Sequence, residues 1–491
     1  MNSYIYNFHK KIKNPPFSLK VIDGDRAYKH ADILAIIKKI IFIFHKNGIK
    51  KGSRVAIISK NESYFLFILY ALFYSKAIPV SIDCYHDDKI VDELIKKEPF
   101  LITDRKIRNY SGKLIDISDL KEEISKTENI DDKLFNQIIT ENHLSEAEEN
   151  DPFIILCSSG TTGLPKKVIL SEKNILWADK EYARLYNFKK NNSIAFIVPT
   201  HYSLGILACG IIPFYHKKTI FINDGHNISE CLEKIDEFKI NILPATPTIY
   251  NLMNRCDLNK YDFSHLKVCD SGGQILPISI IKKFAEHTGV YITEGYGLTE
   301  TSSLTHFLVK DKTGKLRLGS MGKPCRNVKC RIIDENCKDV DFFVPGKLLV
   351  NGPQNMLSYD EKEENKKVFM NNGWFDTGDI VYKDKEDFYY FVSRKIDLLD
   401  YRFIDSKTIR DIEEILYSLE IIEECAVLVM KNEKLMIFIK PYTSGADYEK
   451  IKKIISDNLP KTRFDIQIKL VDFIPRTSTH KVKRNILRAN Y

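Results

Sequence analysis

Apolar residues recur at helical spacing over residues 29 to 47, and Gly48 stops that stretch, which predicts a helix ending there. Val55-Ala56-Ile57-Ile58 is a short β-branched run and predicts a strand, followed by a helix from about 62 to 74. The longest apolar run, the eleven residues from Tyr64 to Tyr74, is too short to span a bilayer and reads as a core helix, so no transmembrane segment is expected. Ile78 to Ile82 predicts the next strand, and Phe153-Ile154-Ile155-Leu156 another, buried one. The alternation then resumes with a helix near 171–186, strand 194–198, helix 202–214, strand 219–222, helix 228–238 and strand 240–243. Strands alternating with helices predict a parallel sheet in an α/β fold. Over 317–393 the pattern changes to short strands and frequent turns, with the acidic and Lys-rich stretch Asp360 to Lys367 read as a solvated loop; this predicts a β-rich subdomain. Residues 407–418, 425–430, 435–440, 448–457 and 466–471 read as a small α+β unit.

Candidate chemistry sits between these elements. Directly after the strand at 153–156 comes Ser158-Ser159-Gly160-Thr161-Thr162-Gly163-Leu164-Pro165-Lys166. Glycines let a backbone approach a ligand closely, while hydroxyls and free N–H groups wrap polyphosphate oxygens and Lys166 adds a cation. The spacing is not that of a Walker loop. Four further segments suit a nucleotide. In Thr293-Glu294-Gly295-Tyr296-Gly297-Leu298-Thr299-Glu300, Tyr296 suits an adenine face and Glu300 a hard cation such as Mg²⁺. Gly373-Trp374-Phe375-Asp376-Thr377-Gly378-Asp379 offers Asp379 as acceptor for two ribose hydroxyls. Ser393-Arg394-Lys395-Ile396-Asp397 brings a permanent cation, and Arg476-Thr477-Ser478-Thr479-His480-Lys481 lies near the C-terminus.

The order and spacing of these motifs resemble the adenylate-forming superfamily: acyl-CoA synthetases, aryl-acid ligases, luciferases and the adenylation domains of nonribosomal peptide synthetases. The resemblance runs from about Gly48 to Arg484. It implies an α/β N-terminal AMP-binding domain over 1–393, built of parallel α/β subdomains and a β-rich one, and a small α+β C-terminal domain over 394–491. It implies attack of a carboxylate on the α-phosphate of ATP, with Mg²⁺, to give an acyl-adenylate and pyrophosphate, then transfer of the acyl group to coenzyme A or to the phosphopantetheine of a carrier protein. By the same resemblance Lys481 is the catalytic lysine, with Thr161 and Glu300 beside it in catalysis. Ser158, Ser159, Gly160, Thr161, Thr162, Gly163 and Lys166 hold phosphates. Gly272, Gly273 and Gln274, with Tyr296, Gly297 and Thr299, line the adenine side. Asp379 and Arg394 hold the ribose, and His201 or Tyr202 stands at the mouth of the acid pocket.

Composition narrows the class. At 491 residues the chain exceeds one core, and 44% hydrophobic residues suffice for ordinary globular domains. The net charge of +8 is spread along Lys-rich helices with no basic and aromatic block, which argues against nucleic acid as partner. The ten cysteines include no Cys-x-x-Cys pair, so free thiols in a reducing cytoplasm are expected rather than disulfides or zinc.

Departures from the family pattern bear on the second half-reaction. His480 stands where glycine is usual before the catalytic lysine, and Ile396 where a charged hinge residue is usual. Leu398 to Ile404 has no glycine, although the family loop there passes close to the pantetheine arm. Robust adenylation with slow transfer to free coenzyme A is therefore expected, and a carrier protein is expected to be the better acceptor. Amino-acid-activating members place an Asp near Pro199 to Gly205; no acid occurs there, which favours an uncharged acyl or aryl acid. An amino-acid-activating enzyme, an adenylate-to-amine ligase and a catalytically weak nucleotide-binding scaffold are the alternatives.

Overall fold

The computed structural model describes residues 3–142, 148–158, 164–225, 227–394, 406–419, 421–430, 434–442, 448–459, 465–476 and 482–489. Two large sheets dominate. A nine-stranded sheet runs, edge to edge, through Lys323–Pro324, His306–Phe307, Ile292–Tyr296, Val268–Gly272, Ile242–Ala245, Ser193–Phe196, Thr219–Ile222, Lys20–Asp23 and Arg26–Lys29. Its interior pairings are parallel, and antiparallel strands close both edges. A seven-stranded sheet runs through Ser358–Tyr359, Lys167–Ser171, Pro152–Cys157, Ile78–Ser81, Arg54–Ile58, Phe100–Thr103 and Lys113–Asp116. Chain alternation of strand and helix thus produces the parallel α/β arrangement that the hydrophobic pattern predicts.

The helix Ser63–Tyr74 shows how the large core forms. It is buried all round except at Tyr64, touches strands of both sheets, and has no side-chain cap at Glu62. Burial of each of its Phe, Leu and Ile side chains contributes about 1.5–3 kcal/mol, so packing rather than capping holds it. Tyr70 stacks on Phe214 at 4.0 Å and donates its hydroxyl to the Ile211 carbonyl at 2.7 Å. The amphipathic helix His30–Lys46 covers the same core, and Gly48, at φ +83°, takes the left-handed turn that ends it.

The helix expected over 202–214 is present with a different winding. Leu204–Ile211 is a π-helix that continues as the α-helical turn Ile212–Tyr215. Pro213 has no N–H to close the ordinary ladder. A Cβ on Gly205 would lie 2.3 Å from the Pro199 carbonyl oxygen, so the wide turn packs directly on backbone. The Asp360 to Lys367 stretch is likewise more ordered than a solvated loop. Its greater part forms the helix Lys362–Val368, with no buried residue, supported by Lys366–Glu363 and Lys367–Glu364 ion pairs at i,i+3 spacing.

Residues 317–394 contribute an antiparallel four-stranded sheet in the order Lys329–Ile333, Gly346–Asn351, Phe375–Lys383 and Tyr389–Arg394. Farther along, Ile422–Met430, Lys434–Pro441 and Asp465–Leu470 form a three-stranded sheet. Helices Ser406–Ser418 and Tyr448–Asn458 pack on it around Ile412, Leu416, Ile437, Ile451 and Ile455. This smaller unit touches the larger one at defined points. Glu414 accepts the backbone N–H of Ile278 at 2.6 Å, at the start of helix Ile278–Thr288. Arg255 donates to the carbonyls of Ile422 and Glu423.

Candidate active site

Strands Val268–Gly272 and Ile292–Tyr296 pair in parallel, and the turns after them open onto a cavity of about 590 Å³. Open α/β sheets hold ligands at such carboxyl ends. Gly273, at φ +84°, turns the chain away from its strand so that Gly273 and Gln274 line the cavity. Tyr296, Gly297, Thr299 and Glu300 line the next wall. A Cβ on Gly297 would meet the Ser303 carbonyl oxygen at 2.3 Å, so only glycine fits there.

Across from them lies a fixed carboxylate. Asp379 and Arg394 face each other in register on neighbouring antiparallel strands, with Arg394 Nε 2.9 Å from Asp379 Oδ1. The Tyr296 hydroxyl donates to Asp379 Oδ2 at 2.5 Å. Burial, with the Asp379 charge beside it, holds the Tyr296 hydroxyl well above its ordinary pKa, so it remains a donor. Asp379 itself is fully buried. Its oxygens are thus pre-aimed by a cation and a phenol before any ligand arrives. On the short turn Thr299–Thr301, Glu300 accepts the Tyr359 hydroxyl on Oε1 at 2.8 Å, and its carbonyl accepts the Met356 N–H at 2.7 Å.

The Ser/Gly-rich loop is closed at its base. Ser158 N donates to the Lys166 carbonyl at 2.8 Å, and Lys166 N donates to Ser158 Oγ at 3.1 Å. Both residues line the cavity. Lys166 Nζ stands 2.6 Å from Glu364 Oε2 and 5.1 Å from the Tyr359 ring centroid. Ser159, Gly160, Thr161, Thr162 and Gly163 lie outside the described residues, as do Ile396, Leu398 to Ile404, His480 and Lys481. Arg476 and Val482, on either side of residues 477–481, line the cavity from the C-terminal side.

The two residues expected at the acid-pocket mouth part company. Tyr202 lines the cavity, whereas His201 does not; it is buried, with Nδ1 3.4 Å from Asp83 Oδ1. Successive residues entering a helical turn point in different directions, so one of a pair was bound to face inward. Gly272 also stands off the main cavity and borders a small chamber behind it. Sequence reasoning passed over Glu413, Tyr417 and Arg488, which close the C-terminal side of the cavity. Their helices carry no motif, and only the packing of the small unit against the large one brings them in. Arg476 is held there by Glu424, Nε to Oε2 at 2.9 Å.

A charged network anchors the loop from behind. Arg54 donates to Glu98 Oε2 at 2.9 Å and to Asp360 Oδ1 at 2.8 Å, and Lys167 bonds the same Glu98. Lys167 begins the strand that leaves the Ser/Gly-rich loop, so this network fixes the loop's exit.

The arrangement provides cations, a buried carboxylate and glycine-lined backbone around one cleft, the equipment for a nucleotide and a charged transition state. Comparison with known proteins agrees. The family model for AMP-binding enzyme matches residues 8–360. A long-chain-fatty-acid–CoA ligase of Bacillus subtilis (strain 168) is 27% identical over 93% of this chain and 89% of its own length. The 4-coumarate–CoA ligase CCL1 of Humulus lupulus is 26% identical over 100% of this chain and 93% of its own. The solved structure of the anthranilate CoA ligase AuaEII with anthranoyl-AMP superposes with a TM-score of 0.83 at 21% identity, covering 99% of this chain and 97% of that one. With its family model spanning most of the length, this chain belongs to the AMP-binding enzyme family.

Proposed function

We propose that the protein is an AMP-forming acid–thiol ligase. A carboxylate oxygen attacks the α-phosphorus of ATP, the bond from that phosphorus to the bridging oxygen breaks, and pyrophosphate leaves. The resulting acyl-adenylate then passes its acyl group to the thiol of coenzyme A, releasing AMP. The observation that carries this reading is the Asp379 carboxylate, buried and held by Arg394 and Tyr296 on the wall of the cleft. It is a ready acceptor for ribose hydroxyls. Gly273, Gln274 and Tyr296 suit the adenine, and Glu300, steadied by Tyr359, suits Mg²⁺ through oxygen. Ser158 and Lys166, with Ser159 to Gly163 between them, are assigned the β- and γ-phosphates. Lys481 is assigned the in-line α-phosphate and carboxylate oxygens.

In this reading residues 1–393 form the AMP-binding domain and 394–491 the C-terminal domain that brings Lys481 to the cleft. A carrier-protein phosphopantetheine is the second acceptor, favoured by the glycine-free Leu398 to Ile404 and by the basic stretch from Lys481 to Arg488. All ten cysteines are free, which suits a reducing cytoplasm, and no helix among the described residues is long and apolar enough to cross a membrane.

The test is ATP–pyrophosphate exchange across fatty, aryl and amino acids in wild type and Lys481→Ala. Acid-dependent exchange in wild type, with a loss of roughly 10²-fold or more in the variant at unchanged ATP affinity, is expected for one preorganised electrostatic contact. Exchange at wild-type rate in Lys481→Ala would remove that residue from catalysis.

A further inference from the structure

Behind Tyr202 the cleft continues into a chamber of about 10 Å³ that shares Tyr202, Ser203 and Gly273 with it. Tyr202 is the partition. Its hydroxyl lies 1.5 Å from where a Cβ on Gly273 would stand, so the ring crosses the backbone at a point only glycine leaves open. The chamber floor is strand backbone: a Cβ on Gly272 would come within 2.8 Å of the Gly295 carbonyl oxygen. Into this floor projects Asp270, from the middle of strand Val268–Gly272 and 1% exposed.

Asp270 is half satisfied. Oδ2 accepts the Tyr186 hydroxyl at 2.8 Å. Oδ1 has no hydrogen-bond partner among the described residues, and it lies 3.4 Å from the position of a Cβ on Gly295, so the bare glycine leaves that side open. The groups that act on the carboxyl are burial, the Tyr186 hydroxyl and the Ser271 N–H, and none is a cation. Burial dominates and pushes the carboxyl up to about 7. A buried carboxyl oxygen with nothing to accept from is a standing cost. A second polar pair borders the same space, with the Tyr182 hydroxyl donating to Ser303 Oγ at 3.0 Å.

We propose that Asp270 selects the acid substrate: the enzyme activates compact carboxylic acids that carry a hydrogen-bond donor, a hydroxyl or an amine, at the end away from the carboxylate, and Asp270 Oδ1 accepts from that donor. This rests on the adenylation reading of the cleft. The chamber has room for about one water. One polar substituent fits it; a long alkyl chain does not. Leu204, Leu304 and the Tyr182 ring also border the chamber, but in a space this small they offer little apolar surface to replace the hydrogen bond.

The test separates binding from turnover. Matched acids are compared in pairs: 4-hydroxybenzoate or 4-aminobenzoate against 4-methylbenzoate, and 4-hydroxybutyrate or 4-aminobutyrate against pentanoate, with palmitate as the long-chain control. Each is measured as substrate in pyrophosphate exchange and, as its non-reactive acyl-sulfamoyl adenosine, by calorimetry. Donor-bearing members are expected to win by about tenfold or more in at least one pair, because a site built to hydrogen-bond rejects the analogue that lacks the donor. Asp270→Leu is expected to abolish that preference. Asp270→Asn, which keeps the residue's size and an acceptor for Tyr186 but turns an NH₂ to the chamber, is expected to lower it likewise. ATP affinity reports whether each variant is folded, and the Asn variant serves if the Leu variant is not. Equal treatment of both members in every pair, a preference that survives both substitutions, or tighter binding of the palmitoyl analogue would overturn the inference while leaving adenylation intact. Donor-dependent analogue binding without exchange would sustain it and overturn the adenylation reading instead.

Discussion

Glu98 and Asp270 are both buried acids, and the protein treats them oppositely. Glu98 is enclosed by cations: Arg54 takes both of its oxygens and Lys167 one of them. Asp270 has a phenol on Oδ2, no cation, and no hydrogen-bond partner for Oδ1 among the described residues. Glu98 sits behind the Ser/Gly-rich loop and ties strand Arg54–Ile58 to strand Lys167–Ser171; Asp270 sits at the edge of the cleft. A buried charge that holds a fold together carries its counterions with it, and one left incomplete points to a ligand that completes it. Asp379 stands between the two, partnered by Arg394 and Tyr296 yet lining the cavity.

Each of the three acids can be replaced in turn. Glu98→Ala strips the buried Lys167 of its carboxylate and leaves Arg54 with Asp360 alone, and it is expected to cost about 3–5 kcal/mol of stability, the largest effect, read from denaturant unfolding. A loss under about 1 kcal/mol would show that water replaces the carboxylate freely. Asp379→Ala removes an acceptor whose charge-assisted hydrogen bonds are each worth about 1.5–3 kcal/mol, so the ATP affinity measured by calorimetry should fall roughly tenfold or more. An unchanged ATP affinity would move the nucleotide elsewhere. At Asp270 the effect is on the pH dependence of stability. Burial raises its folded pKa from 3.8 to about 7, so the folded state keeps a proton that the unfolded chain releases. The stability this contributes is complete below pH 3.8 and is lost as pH rises through about 7. Asp270→Asn, which stays neutral at every pH, should flatten the unfolding free energy between these limits. A wild-type curve with the same slope as the variant's would mean that Asp270 has a partner in solution.

Much of the fold was readable because periodicity is local. Strand Thr219–Ile222 falls at its expected residues, and the five C-terminal segments read as a small α+β unit each fall on a helix or a strand. The site was readable where chemistry and backbone coincide, as at Gly273 and Asp379. What stayed hidden was long-range. Arg54 meets Asp360 only because the edge strand Ser358–Tyr359 pairs with Lys167–Ser171. No acid lies between Pro199 and Gly205, and the acid that borders the chamber behind Tyr202 comes from strand Val268–Gly272. Asp270 did leave a trace in the sequence. Val268-Cys269-Asp270-Ser271 interrupts a run that should be apolar in a strand with parallel partners on both sides, and such an acid is either paired or functional. The pi-helical winding at Leu204–Ile211 left a weaker one, two glycines and a proline in an otherwise apolar helix.

Trapping the intermediate decides whether this cleft makes an acyl-adenylate and hands it to a thiol. Enzyme, Mg-ATP and a compact donor-bearing acid are mixed without thiol, quenched and examined by mass spectrometry, and a parallel sample is chased with coenzyme A. One enzyme-bound acyl-AMP per active site is expected, absent when the acid is omitted, with its conversion to acyl-CoA and AMP in the chase. Release of AMP independent of any acid, or an acyl-AMP that never forms across the panel, would contradict it.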